Sequence, residues 1–203
     1  MLFSIPFVLT LVAGALAAPP EYGQQKPKCL DQASIDTLVN GYTYLLESPL
    51  GPDFNSTADK ILSDKFQVLS DSILTLSQRP VSTTYGICQT KTSEKPITLT
   101  IPHLPQLGQP AYPSKQAYID SQAQTPPLPV VETLGVFSNC AQISWRWRAT
   151  GIGSNQFEIN GIINFDTNPE TVQIDTVYSE FNTAAFQADL GFPECQQNAS
   201  AAH

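Results

Sequence analysis

Basic side chains are scarce in this sequence: ten Lys plus Arg stand against eighteen Asp plus Glu in 203 residues, for a net charge of −8. Binding nucleic-acid phosphates takes clustered cations that displace counterions, so the charge balance argues against nucleic acid as a partner. Histidine is scarcer, with only His103 and the C-terminal His203. A Ser-His-Asp triad would have to run through His103, and no G-x-S-x-G elbow is present to hold its serine. There is no C-x-x-C pair or other ligand spacing suited to zinc and no Gly-rich phosphate loop, so neither a metal nor a cofactor is expected. No apolar run reaches the roughly 20 residues that a membrane-spanning helix needs, which argues against a stable membrane anchor. Internal repeats are also missing.

The N-terminus is rich in what the rest lacks. Met1 to Ala17 holds no charged side chain, and Leu2 to Val12 is apolar apart from Ser4 and Thr10. Ala15-Leu16-Ala17 follows with the small-x-small pattern of a signal-peptidase site. Residues 1–17 are therefore read as a signal peptide and residues 18–28 as a flexible mature N-terminus. The expected location is secreted and extracellular. In that oxidising compartment the four cysteines of the mature part, Cys29, Cys88, Cys140 and Cys195, are expected to form two disulfides. Four cysteines allow three connectivities, and the sequence does not choose among them. Two sequons, at Asn55 and Asn198, become glycosylation candidates in the same context. Asn55 also adjoins an expected helix start, where a cap or turn role competes.

Between Asp31 and Glu47 the apolar residues Ile35, Leu38, Val39, Tyr42, Leu45 and Leu46 recur at helical spacing. Asp31 or Ser34 is placed to cap this helix, and Pro49, Gly51 and Pro52 end it. A second helix is expected near Ser56, with Asp59 completing a capping box. Beyond Asp64 the spacing of Phe66, Val68, Leu69, Ile73 and Leu74 reads as a turn and a short helix. Residues 80–129 hold nine of the seventeen prolines. This stretch reads as an ordered but irregular loop, with a strand-like alternation at Ile97 to Ile101 and a short capped helix at Ser114 to Ile119. Strands are expected at Val130 to Phe137, Gln142 to Thr150, Gln156 to Asp166 and Thr171 to Asn182, joined by short turns as an antiparallel meander. Helices followed by such a sheet make an α+β fold, with a ligand pocket expected where the sheet curls round the helices.

Several segments resemble the fungal secreted branch of the NTF2-like (SnoaL-like) superfamily. They are Cys29-Leu30, the run from Leu62 through Ile73, the short helix at Ser114 to Ile119, Ile143-Ser144-Trp145-Arg146-Trp147 after Cys140, Asn160-Gly161-Ile162, and Thr176 through Asn182. The resemblance implies a cone of strongly curved antiparallel sheet packed round N-terminal helices, spanning 29–195 with a flexible tail at 196–203. It implies no single activity, since similar folds host dehydratases, isomerases, polyketide cyclases and subunits that only bind or transport.

Strand parity puts Ile143, Trp145 and Trp147 on one face and Ser144, Arg146 and Arg148 on the other. In the last strand Ile174, Thr176, Tyr178, Glu180 and Asn182 alternate with Asp175, Val177, Ser179 and Phe181. Pattern alone does not say which face is buried. A pocket lined by Asp71, Trp145, Arg146, Trp147, Tyr178, Glu180 and Asn182 would bind a small apolar or aromatic molecule. Asp71 or Glu180, desolvated there, would serve as a general acid or base of a cofactor-free lyase, isomerase or cyclase. The opposing reading makes the same residues a structural network: Glu180 paired with Arg146 or Arg148, Asn182 capping the sheet end, and Asp71 capping a helix. A third reading is an extracellular protein-interaction module, homodimeric through the exposed sheet face.

Overall fold

Asp31 starts the first helix as its position suggests. Its carboxylate accepts the Ser34 N–H at 2.8 Å, and the hydrogen bonds from Ser34 hold its pKa below the ordinary value. Helix α1 runs over Gln32–Glu47 and buries Ile35, Leu38, Val39, Tyr42 and Leu45 along one stripe. The computed structural model describes residues 28–77, 107–122 and 124–191. Within these, α2 (Phe54–Ile61), β1 (Leu62–Leu69), α3 (Asp71–Ser77), β2 (Pro110–Tyr112) and α4 (Lys115–Gln122) follow α1. Then come the strands β3 (Val130–Ser138), β4 (Gln142–Thr150), β5 (Ile159–Asn168) and β6 (Gln173–Phe181), and the closing helix α5 (Thr183–Asp189). The short helix at Ser114 is present as α4, with the Ser114 hydroxyl accepting the Ala117 N–H at 3.1 Å. No helix among the described residues is long and apolar enough to cross a membrane. The segments 1–27, 78–106 and 192–203, and with them the expected signal peptide, the alternation at Ile97 to Ile101, Cys88, Cys195 and Asn198, lie outside the described residues.

The six strands form one sheet in the order β2-β1-β6-β5-β4-β3. The meander β3 to β6 is antiparallel throughout. The sheet as a whole is mixed, because β1 lies parallel to β6. That is one correction to the sequence reading, and β1 itself is another: residues read as a turn after Asp64 are a strand. Its pairing with β6 shifts register between Leu62 and Gln67, so Leu62 and Ser63 are both buried while Asp64 and Lys65 are both exposed. A strand broken in this way loses the period of two by which strands are recognised. Helix α2 also starts earlier than expected, at Phe54. The Ser56 hydroxyl donates to the Asp53 carbonyl at 3.0 Å instead of forming a capping box with Asp59. Asn55 is thus an exposed first-turn residue of α2 and not its cap.

Further bulges curl the sheet and decide its faces. Thr133 and Gly135 pair with Trp147 and Arg146, which leaves Leu134 as the extra residue of β3. Asp166 and Thr167 pair with Thr176 and Ile174, which leaves Asp175 extra in β6. Directly opposed residues share a face. The inner face, toward the helices, therefore carries Ile143, Trp145, Trp147, Ile163, Phe165 and, across the β6 bulge, both Ile174 and Val177, all buried. Ile174 thus lies on the side opposite to Tyr178 and Glu180, with which simple alternation had grouped it.

One disulfide joins Cys29 to Cys140, in the turn between β3 and β4. The Leu30 N–H donates to the Cys140 carbonyl at 3.1 Å beside it. The bridge fastens the entrance of α1 to the β3–β4 hairpin at one edge of the sheet.

Candidate functional site

The inner face is filled by its own side chains. Trp145 is fully buried and stacks on Phe165 with centroids 6.3 Å apart. Its indole Nε1 donates to the Thr133 hydroxyl at 3.0 Å. Trp147 is 3% exposed and packs against Phe181. Its ring lies over Gly161, its cross-strand partner, so closely that a Cβ there would overlap it. Tyr42, Phe54, Phe66 and Tyr112 surround Tyr118 on the helix side. The two tryptophans are therefore part of the core in this structure, and the sheet separates them from Arg146, Tyr178 and Glu180.

The structure brings Asp71 and Glu180 together and gives both structural work. The Glu180 carboxylate sits at the start of α3, accepting the Asp71 N–H at 2.8 Å, the Ser72 N–H at 3.1 Å and the Ser72 hydroxyl. Anions at a helix N-terminus satisfy its unpaired amides. Ser70, not Asp71, supplies the side-chain cap, its hydroxyl accepting the Ile73 N–H at 3.0 Å. The Asp71 carboxylate instead accepts the Gly108 N–H at 2.9 Å. Asn182 caps α5 rather than the sheet, accepting the Ala185 N–H at 3.1 Å. Arg148 pairs with Glu132 and Glu158 rather than Glu180. Arg146 is exposed on the outer face between Gly135 and Ile162 and has no ion-pair partner among the described residues. Because Glu180 closes three donors of α3, Glu180→Ala is expected to cost about 1–2 kcal/mol, in the range of lost helix caps. Glu180→Gln, which keeps an acceptor oxygen, is expected to cost less. Urea unfolding of the two variants measures the difference.

A concavity among the described residues lies on the outer face of the sheet. It is an open cleft of about 580 Å³ whose lining includes Phe137, Gln142, Ser144, Asn164, Asp166 and Tyr178. Four of these stand in one cross-strand row. Phe137 opposes Ser144, Ser144 opposes Asn164, and Asn164 opposes Tyr178. The aromatic residues close the row at both ends, Phe137 with 62% and Tyr178 with 44% of its surface exposed. Along one side, Asn139 Nδ2 donates to Gln142 Oε1 at 3.1 Å, and Gln142 Nε2 donates to Asp166 Oδ1 at 2.9 Å. Partial burial, and then the charge of Asp166, raise the Tyr178 pKa above its ordinary value, so this phenol stays protonated at neutral pH. Of the site residues expected from the sequence, only Tyr178 lines the cleft. The others were missed, although Phe137 gave a signal: a large apolar side chain opposite Ser144, on the polar side of β4. No group of three or more His, Cys, Asp or Glu residues that could hold a metal ion occurs among the described residues.

Among solved structures, the chain is similar to wild-type IdmH of Streptomyces antibioticus, assigned as a candidate polyketide cyclase. The identity is 12%, the match covers 78% of this chain and 98% of that one, and the TM-score is 0.50. It is also similar to a candidate SnoaL-like polyketide cyclase from Jannaschia sp. CCS1, at 10% identity, covering 78% and 94% of the two chains with a TM-score of 0.47. Identities this low speak to fold alone. No protein of curated function matches the sequence. The sequence profile of the NTF2-like domain matches residues 28–193, nearly the whole of the described fold, and the chain belongs to that family.

Proposed function

We propose that this chain is a secreted, extracellular NTF2-like binding domain that takes a small molecule in the cleft on the outer face of its sheet. The observation that carries this reading is the row Phe137-Ser144-Asn164-Tyr178, in which two exposed aromatic rings flank polar groups. Its volume of about 580 Å³ falls within the usual range of ligand sites. Placing the ligand inside the cone, between the two tryptophans and the helices, has less support, because those side chains occupy the space themselves. An acid–base role for Asp71 or Glu180 has less support too, since both carboxylates are engaged by backbone amides. The apolar N-terminal run and the Cys29–Cys140 bridge support export, because disulfides persist in oxidising compartments.

The test is an amide chemical-shift map of the isotope-labelled mature protein against a set of small aromatic and hydroxylated fragments. Shifts are expected to concentrate at Phe137 to Ser144, Asn164 to Asp166 and Tyr178, and to vanish in a Phe137→Ala/Tyr178→Ala variant. Shifts confined to α1, α4 and the tryptophans would return the site to the cone interior.

A further inference from the structure

From the chemistry of the cleft we infer that its ligand is a neutral oligosaccharide, held by stacking on Phe137 and Tyr178 and by hydrogen bonds to the polar floor between them. This inference rests on the cleft being the binding site, as proposed above.

The openness of the cleft is the first argument. An apolar small molecule binds well where most of its surface is enclosed, and this cleft lies open along the sheet. A hydroxylated chain keeps its outward side in water and needs only one face covered. Sugar rings also present a C–H face, which an exposed aromatic ring covers without stripping the hydroxyls of water, and amphipathic aromatics suit such half-wet contacts. Phe137 and Tyr178 stand three strand spacings apart, about 14 Å. That separation suits two stacking points on a short oligosaccharide better than two walls closing on a single ring.

The floor is the second argument. The Ser144 hydroxyl and the Asn164 amide have no hydrogen-bond partner among the described residues, and Asn164 is exposed. An amide beside a hydroxyl supplies both donors and acceptors, the set that sugar hydroxyls require. Asp166 adds a carboxylate acceptor already oriented by the chain from Asn139 through Gln142. Groups held in place before binding lose little freedom on binding.

Charge is the third argument. Asp166 is the one acidic residue, and no basic residue appears, among the described residues lining the cleft, and the protein carries −8 overall. Both disfavour uronate-rich or sulfated sugars. Arg146 lies in the neighbouring row, against Gly135 and Ile162, rather than in the lining.

The experiment titrates the labelled mature protein with cellohexaose, laminarihexaose, chitohexaose and mannohexaose, and with a sulfated oligosaccharide for contrast. At least one neutral hexamer is expected to shift the Phe137, Asn164 and Tyr178 amides, and the sulfated sugar is not. Phe137→Ala is expected to weaken binding by about tenfold, in line with one lost stacking contact. Asn164→Ala, a change at an exposed strand position, is expected to weaken it independently. Unchanged thermal melts show that both variants are folded. If no hexamer binds while aromatic fragments still map to the cleft, the sugar is wrong and the binding site stands. If neither binds there, both are wrong. Sugar shifts that survive both variants, or light scattering showing a dimer that covers Phe137, would also overturn the inference.

Discussion

Above about pH 10 this domain is expected to lose stability steeply, because two tyrosines of its core resist ionisation while it is folded. Tyr42 and Tyr118 are almost completely buried. Burial raises both phenol pKa values well above the ordinary 10.0, and the neighbouring Tyr112 adds to the shift. In the unfolded chain these phenols release their protons near pH 10. Below that pH both states hold the phenolic protons, and the stability is present in full. As the pH rises further, the unfolded state gives up protons that the folded state keeps, and unfolding becomes more favourable. Each phenol costs about 1.4 kcal/mol per pH unit in this window, until its folded-state value is reached. Over two units the pair removes about 5 kcal/mol, comparable to the whole stability of many domains. Urea midpoints followed between about pH 9 and 11 measure the slope. Tyr42→Phe is expected to remove about half of it. If both single Phe variants keep the full slope, the alkaline loss belongs to other groups.

Gly153→Ala is the second large effect. Gly153 adopts φ +49° in the loop between β4 and β5, and a Cβ there would overlap the backbone carbonyl of Asp189 at the end of α5. That carbonyl accepts the Ser154 N–H at 2.7 Å. The Asp189 carboxylate, itself buried, accepts the Gln156 N–H at 2.7 Å, the Phe157 N–H at 3.2 Å and the Ser154 hydroxyl at 3.3 Å. The loop and the helix end are thus held by one residue through four donors. A methyl group at Gly153 meets rigid backbone and has to push the two apart, leaving the buried Asp189 carboxylate without its donors. The expected loss is about 3–5 kcal/mol, or roughly a 10 °C fall in Tm. Gly108→Ala provides the control. Gly108 also has positive φ, at +82°, but nothing lies within 4 Å of its Cβ position. Only the left-handed backbone penalty of about 1 kcal/mol applies there. Equal melting shifts for the two variants would show that strain at φ, and not the Asp189 contact, is what matters.

The legible parts of this fold are those whose residues answer to one neighbour. α1 shows in the sequence because its stripe from Ile35 to Leu45 meets a single core at helical spacing. The meander shows because β3 to β6 connect through short turns and keep their alternation over most of their length. β1 does not show, since its partner β6 arrives more than a hundred residues later and the irregular register between them hides the period. The candidate site was harder still. Trp145 and Arg146 are equally plausible inward residues on paper. Helices packed against one face make the tryptophan core and leave the arginine in water. Glu180 bonds Asp71 and Ser72 across 109 and 108 positions, a distance at which no local motif could reveal a helix cap.

The sequence by itself determined the composition that argues against phosphate binding, the alternation of the meander, the main helix and the family likeness, because each is written in neighbouring residues or in simple counts. The tertiary structure decided the parallel placement of β1, the direction each strand face looks, the Cys29–Cys140 pairing and the commitment of Asp71 and Glu180 to backbone amides. It also decided that the open cleft lies outside the cone. These depend on which distant surfaces meet and where a single extra residue such as Asp175 reverses a strand's parity, and neither is encoded within any one segment.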